Sequence, residues 1–197
     1  MPASIFTSNY AALGLAIAVV CYFLGEIIGA TIIPRIRRGD SKIQRRNVGS
    51  DILVLVSWVV IFGAGLIFAN NDIALLPDWV YYIGIVLMLA GIAFRQWAIA
   101  VLGRYFSNAI GVQKEQKVVE TGPYRLIRHP SYTGELIFLA GMGLAVQSWA
   151  ATLVNITMFA IVYGHRIFVE EKVLISELGN SYVEYMKRTK RVIPKIV

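Results

Sequence analysis

The residues best suited to chemistry fall into two clusters. One is the stretch Thr121-Gly-Pro-Tyr-Arg-Leu-Ile-Arg-His-Pro-Ser-Tyr132, which holds two arginines, two tyrosines and one of the two histidines of the chain. The other is His165-Arg166 followed by Glu170-Glu171, at the end of a long apolar run. Four residues apart on a helix, Arg166 and Glu170 share a face, so a cation and a carboxylate stand side by side. Together the clusters offer donors, acceptors and aromatic faces for a charged ligand. Ionisable groups at membrane depth cost about 2.5–3.5 kcal/mol each, so they face a partner or a cavity. Glu26, Arg95, Gln96 and Glu135 pose the same question within other apolar runs. Plainer readings stand beside the functional one: a basic juxtamembrane loop punctuated by proline for Thr121–Tyr132, and snorkelling to headgroups for the arginines. Two histidines and one cysteine are too few for a common transition-metal site or a disulfide, and no metal is expected.

These clusters are set among membrane spans. The chain has 197 residues, 57% of them hydrophobic, and several apolar runs approach the 20 or so residues that cross a bilayer. Five runs are expected to span: about Asn9 to Ile33, closed by Pro34; Asp51 to Ala69; Trp79 to Leu102; Tyr132 to Val146; and Ala150 to Phe168. The turn Gln147-Ser-Trp149 makes the last two a helical hairpin, and Gly134, Ala140, Gly141, Gly143 and Ala145 allow close helix approach in lipid. Gly179 is expected to end a helix beginning near Glu170. The fold class is therefore an all-α integral membrane protein in one unit, 1–197, with spans one to three in 1–102 and the polar half in 103–197.

Charge orients the spans. Six Lys or Arg lie between Arg35 and Arg46, five between Arg104 and Arg128, and six from Lys172 to Lys195. The connections Asn70 to Asp78 and Gln147 to Trp149 have none, nor do the first 34 residues. The positive-inside rule then places the N-terminus outside and the polar segments and C-terminal tail in the cytoplasm. Trp79, Tyr81 and Tyr82 are expected in an aromatic belt at the outer interface. The net charge of +7 is explained by the cytoplasmic loops without nucleic acid. Basic loops, above all Lys187-Arg188-x-Lys190-Arg191, suit anionic lipid headgroups. Without a basic leader, the first run is read as a retained helix.

Arg128-His-Pro-Ser-Tyr132, then Glu170-Glu171, then Gly179-x-x-Tyr182-x-x-Tyr185 and Arg191-Val-Ile-Pro194 resemble the isoprenylcysteine carboxyl methyltransferase family. The resemblance covers roughly Arg104 to Val197. It implies a cytoplasmic pocket for S-adenosyl-L-methionine made by the polar segment and the hairpin. By that resemblance the cofactor contacts fall on Gln113, Gln116, Val118, Val119, Tyr124, His129, Pro130, Ser131, Tyr132 and Glu171. Arg166 and Glu170 match positions near the substrate carboxylate and the methyl-transfer site. Gln116 stands where relatives often carry His. The acceptor implied is a lipophilic carboxylate reaching the site from the bilayer.

The residues suit that chemistry. A carboxylate is already ionised near neutral pH and needs placement rather than a base. Arg166 could hold it with two hydrogen bonds. An amine acceptor such as phosphatidylethanolamine would need a base, for which Glu170 is the candidate. That remains an alternative, as do an NADPH-dependent membrane reductase and a non-enzymatic scaffold. No Gly-x-Gly-x-x-Gly is present, so a Rossmann site is not indicated. Tyr182, Glu184 and Tyr185 read first as packing of a C-terminal amphipathic helix.

Overall fold

A computed structural model of the protein describes residues 9–39, 43–47, 49–70, 73, 75–113 and 116–194. The extreme N-terminus, part of the basic loop after Arg38, Asn71, Asp72 and Lys195 lie outside the described residues. The structure is mostly helical. Helix α1 (Asn9–Gly25) runs without interruption through a π-helical turn (Glu26–Ile32) into α2 (Ile33–Arg38). Pro34 was expected to close the first span. It lies instead inside this continuous helix, at the junction of the π-helical turn with α2, where it has no N–H to donate to the preceding turn. Strand β1 (Ile43–Asn47) leads to α3 (Gly49–Asn70) and α4 (Trp79–Leu102). Strand β2 (Ile110–Gln113) precedes α5 (Pro130–Ala145), α6 (Trp149–Leu178) and α7 (Asn180–Arg188).

Two expectations change here. The fold is not purely helical, because β1 and β2 pair antiparallel, with Ile43 opposite Gln113 and Arg45 opposite Gly111. This ribbon ties the loop after α2 to the polar segment after α4. And α6 does not stop near Phe168. It continues to Leu178 as one 30-residue helix, capped at its start by Ser148, whose side chain accepts from the Ala151 N–H. Gly179 does end it, with φ +59°. Because the helix continues, Arg166, Glu170 and Glu171 are held on one rigid rod.

Among the described residues, four helices are long and apolar enough to cross a membrane: Tyr10–Arg38, Gly49–Ala69, Trp79–Tyr105 and Trp149–Leu178. Large apolar side chains of α1 and α3 point outward, among them Leu13, Ile17, Leu55 and Val59. In water such faces would be untenable, so the protein is an integral, multi-pass membrane protein. Helix α5 differs. Its 16 residues rise about 24 Å, short of a hydrocarbon core of about 30 Å. It is also the most enclosed helix, with Glu135, Phe138, Leu139 and Ala145 fully buried.

The small residues of α5 serve its contact with α4 as well as the hairpin. A Cβ added at Gly91 would lie 2.6 Å from the Phe138 nitrogen, and one at Gly134 would lie 2.7 Å from the Arg95 nitrogen. The two backbones therefore touch where Arg95 leaves α4. Gly143 makes the equivalent approach to Thr152 of α6. The turn between α5 and α6 places Gln147 at φ 57°, and its Nε2 donates to Asp78 at 3.1 Å. At the α4 start Trp79 and Tyr82 are exposed, as an aromatic belt requires, but Tyr81 turns inward and donates to the Ala11 carbonyl at 3.0 Å.

Candidate functional site

The stretch Thr121–Tyr132 is built as a short 3-10 turn (Gly122–Arg125), an irregular piece in which Ile127 bridges to Lys190, and the first turn of α5. Gly122 opens the turn at φ +56°, a conformation a side chain would strain. Pro130 sits in the first turn of α5, where its lack of N–H is harmless. The C-terminal tail is strapped alongside. The Arg128 N–H donates to the Lys190 carbonyl at 2.7 Å and the His129 N–H to the Arg191 carbonyl at 2.9 Å. The Thr133 hydroxyl donates to the Val192 carbonyl at 2.7 Å. These bonds explain why Arg191-Val-Ile-Pro194 accompanies the stretch in sequence.

Between the stretch, α6 and the inner sides of α1 and α3 lies a cavity of about 470 Å³. Of the residues singled out from the sequence, Glu26, Arg95, Gln116, Val118, Val119, Tyr124, Arg128, His129, Ser131, Tyr132, Arg166 and Glu170 line it. Gln113, Pro130 and Glu171 are buried but do not form its wall. Gln113 donates through Nε2 to the Arg104 carbonyl at 2.5 Å, and its N–H donates to Gln116 Oε1 at 3.0 Å. Glu171 accepts from Arg128 Nε at 2.8 Å and from Arg191 Nε at 3.0 Å. Arg128 also donates to the carbonyls of Met186 and Thr189. Glu171 thus knots α6, the stretch and the tail together, while its neighbour Glu170 faces the cavity.

Arg166 and Glu170 do not bond directly, although the four-residue spacing suggested it. Tyr132 stands between them: Arg166 Nε donates to its oxygen at 2.9 Å, and its hydroxyl donates to Glu170 Oε2 at 2.7 Å. The other guanidinium bonds come from partners distant in sequence. Arg166 Nη1 donates to Asp51 Oδ1 at 2.9 Å and to Ser50 Oγ at 3.1 Å, and Nη2 donates to the Asn108 carbonyl. Asp51 lines the cavity and was missed from sequence. Its only signal was a carboxylate in the first turn of an apolar helix, which the helix dipole already accounts for.

Arg95 is paired rather than snorkelling. It grips Glu26 with both arms, Nε to Oε1 at 2.6 Å and Nη2 to Oε2 at 2.8 Å, and gives Nη1 to the Ser131 carbonyl at 3.1 Å. Its Nε lies 3.4 Å from Glu135 Oε2. Tyr22 and Tyr163 donate to Glu135 at 2.7 and 3.2 Å. The π-helical turn that begins at Glu26 is where α1 meets this cluster, a location typical of such turns.

Tyr182 and Tyr185, read first as packing residues, are indeed buried, yet both also line the cavity. The Tyr185 hydroxyl donates to the Tyr124 carbonyl at 2.7 Å. Burial, with Glu170 nearby, pushes the Tyr124 phenol far above its ordinary pKa, and burial near Glu170 and Glu171 does the same for Tyr182. These phenols are therefore neutral donors, not phenolate bases. One polar atom stands out. His129 Nε2 is buried and makes no hydrogen bond among the described residues; Glu171 Oε1 lies 3.4 Å away without suitable alignment. A buried polar atom without an aligned hydrogen bond suits a ligand group that supplies one.

The family model described as the isoprenylcysteine carboxyl methyltransferase (ICMT) family matches residues 83–176. Protein-S-isoprenylcysteine O-methyltransferase A of Arabidopsis thaliana is 30% identical over 156 residues, covering 74% of this chain and 77% of the relative. A probable protein-S-isoprenylcysteine O-methyltransferase of Oryza sativa subsp. indica is 28% identical over 160 residues, covering 77% and 84%. Cobalt-zinc-cadmium resistance protein CzcN of Cupriavidus metallidurans is 31% identical over 158 residues, covering 80% and 68%. Among solved structures, a eukaryotic intramembrane Ras methyltransferase ICMT matches with a TM-score of 0.66 at 22% identity, over 98% of this chain and 68% of that one. At that identity the likeness is one of fold.

Proposed function

The chain belongs to the isoprenylcysteine carboxyl methyltransferase family and is an O-methyltransferase, and on that premise we propose that it methylates the carboxylate of a lipophilic, prenylcysteine-like acceptor with S-adenosylmethionine as donor. One observation carries the reading. A single cavity joins the polar stretch Thr121–Tyr132 to an apolar wall formed by Phe23 of α1 and Val54 and Trp58 of α3, with Arg166 lining the same space. A polar donor and a greasy acceptor could meet there.

The donor set fits S-adenosylmethionine. When bound, it supplies a methyl group on a positively charged sulfur. His129, whose Nε2 makes no aligned hydrogen bond, and Ser131 would meet polar groups of the cofactor. Tyr124 and Tyr132 offer aromatic faces, which attract a cation by about 0.5–2 kcal/mol. Gln116, Val118 and Val119 would complete that wall. Gln113, Pro130 and Glu171 would act from behind it, by holding Gln116, the α5 start and Arg128.

The acceptor carboxylate is ionised near neutral pH, so no residue has to remove a proton. The chain's task is to hold one oxygen in line with the methyl and to keep water away. Arg166 is the group for that hold, because a guanidinium matches a carboxylate in shape and charge. Tyr132 and Asn108 fix its plane from two sides. Glu170, at the far end of the Tyr132 hydroxyl, completes the chain of bonds that orients it. We place the cavity mouth on the cytoplasmic side, with α5 as a short fifth span, the N-terminus outside and the basic segments against anionic lipid. The runs of Lys and Arg support that orientation.

Calorimetry with S-adenosylhomocysteine, alongside transfer of labelled methyl to an S-farnesylcysteine with a blocked amine, tests the reading. Saturable binding and a base-labile methyl ester are expected. Methyl incorporation into phosphatidylethanolamine, with none into the acid, would replace it by amine methylation.

A further inference from the structure

The hydrogen bonds of Arg166 create a difficulty for its assigned role. A guanidinium has five N–H groups. Among the described residues four are in use: Nε on Tyr132, both hydrogens of Nη1 on Asp51 and Ser50, and one of Nη2 on Asn108. One N–H remains, and a two-pronged grip on an acceptor carboxylate needs two. Some partner has to give way.

Asp51 is the partner suited to do so. Tyr132 is held on its other side by Glu170, and the Asn108 contact is backbone. Ser50 is buried at 3% exposure and has a neutral hydroxyl. The Asp51 side chain keeps 29% of its surface exposed and lies on the cavity wall. Among the four partners it is the only carboxylate, so it is the one an incoming carboxylate repels as well as replaces. Its place in the first turn of α3 gives it somewhere to go, since the positive end of a helix stabilises a carboxylate that has lost its arginine.

We infer that Asp51 is a resident stand-in for the acceptor carboxylate: it holds Arg166 in position while no acceptor is present and is exchanged for the acceptor's carboxylate on binding. Resting on the carboxylate-methylation reading, this makes Asp51 a positioning residue that sets acceptor affinity and acceptor charge preference. The exchange holds the guanidinium in one plane throughout, avoiding a buried unpaired cation, which is costly. It also weakens acid binding by the strength of the bond it gives up. A cationic amine acceptor would gain from Asp51 instead of displacing it.

The test is Asp51→Asn, assayed with N-acetyl-S-farnesylcysteine as acceptor and its primary carboxamide as inhibitor, both arms at saturating S-adenosylmethionine. Loss of the competing charge should lower KM for the acid by about three- to tenfold, as expected for one partly screened charged hydrogen bond. The Ki of the neutral carboxamide should move by less than about twofold, since that ligand does not contest the charge. A residue that merely packs the α3 terminus would shift both ligands together or lower kcat alone. Unchanged or raised KM for the acid, with S-adenosylhomocysteine binding intact, overturns the inference. Asp51→Ser keeps a polar group in the first turn of α3, should give the same split, and guards against a folding defect peculiar to the amide. A wild type that binds S-adenosylhomocysteine but methylates no acid instead removes the carboxylate reading, and the role of Asp51 with it.

Discussion

Arg95 and Arg166 are buried almost alike, with side-chain exposures of 7% and 6%, yet their surroundings differ in kind. Arg95 answers to two carboxylates, Glu26 and Glu135, and one of these is itself held by two tyrosines. Its cluster ties α1, α4, α5 and α6 together at membrane depth. Arg166 has one carboxylate, Asp51, which is partly exposed, and otherwise leans on neutral oxygens. Tyr22, Glu26, Arg95 and Tyr163 line the same cavity, but Arg95 keeps a two-pronged partner in Glu26 with Glu135 beside it. The Arg166 cluster has a replaceable member on a cavity wall. A buried charge with fixed partners holds a structure together, while one with an exchangeable partner can recognise a ligand.

Substitutions can break this contrast. Arg95→Ala leaves Glu26 and Glu135 without their cation, and removing one partner of a buried pair costs about 3–5 kcal/mol. The expected result is a large drop in thermal stability in detergent, with folded protein recovered poorly. Arg166→Ala should leave unfolding less affected but reduce methyl transfer about a hundredfold or more, as loss of a group that orients a reactant does. S-adenosylhomocysteine binding should persist in that variant. If Arg166→Ala unfolds the protein as Arg95→Ala does, the distinction between the clusters fails. The matched tyrosines sharpen it further. Tyr132→Phe removes the hydroxyl between Arg166 and Glu170 and should lower kcat/KM about tenfold, in line with a charged hydrogen bond. Tyr163→Phe removes a donor to Glu135 and should cost about 1 kcal/mol of stability, with a smaller change in turnover.

Much of the polar stretch could be read in the chain because its residues are neighbours. Proline at the start of α5, glycine opening the 3-10 turn, and His129 to Tyr132 on one helical turn are local facts. The spacing of Arg166 and Glu170 was local too, and both line the cavity. It did not show Tyr132 inserted between them, because Tyr132 comes from α5. Asp51 was unreadable for the same reason: it lies 115 residues from Arg166. Glu26 and Arg95 were each visible as an anomaly, but their pairing depends on α1 packing against α4. The ribbon of β1 and β2 escaped notice because neither strand is long and the two are far apart in sequence.

Composition and periodicity by themselves determined that the chain enters a membrane and which residues are out of place there. Those properties follow from transfer of single side chains and from bonds within one helix. The tertiary structure decided which misplaced charges neutralise each other, and how many carboxylates each cavity-lining arginine holds. That division depends on what other helices bring within hydrogen-bonding reach, and a linear pattern holds no record of it.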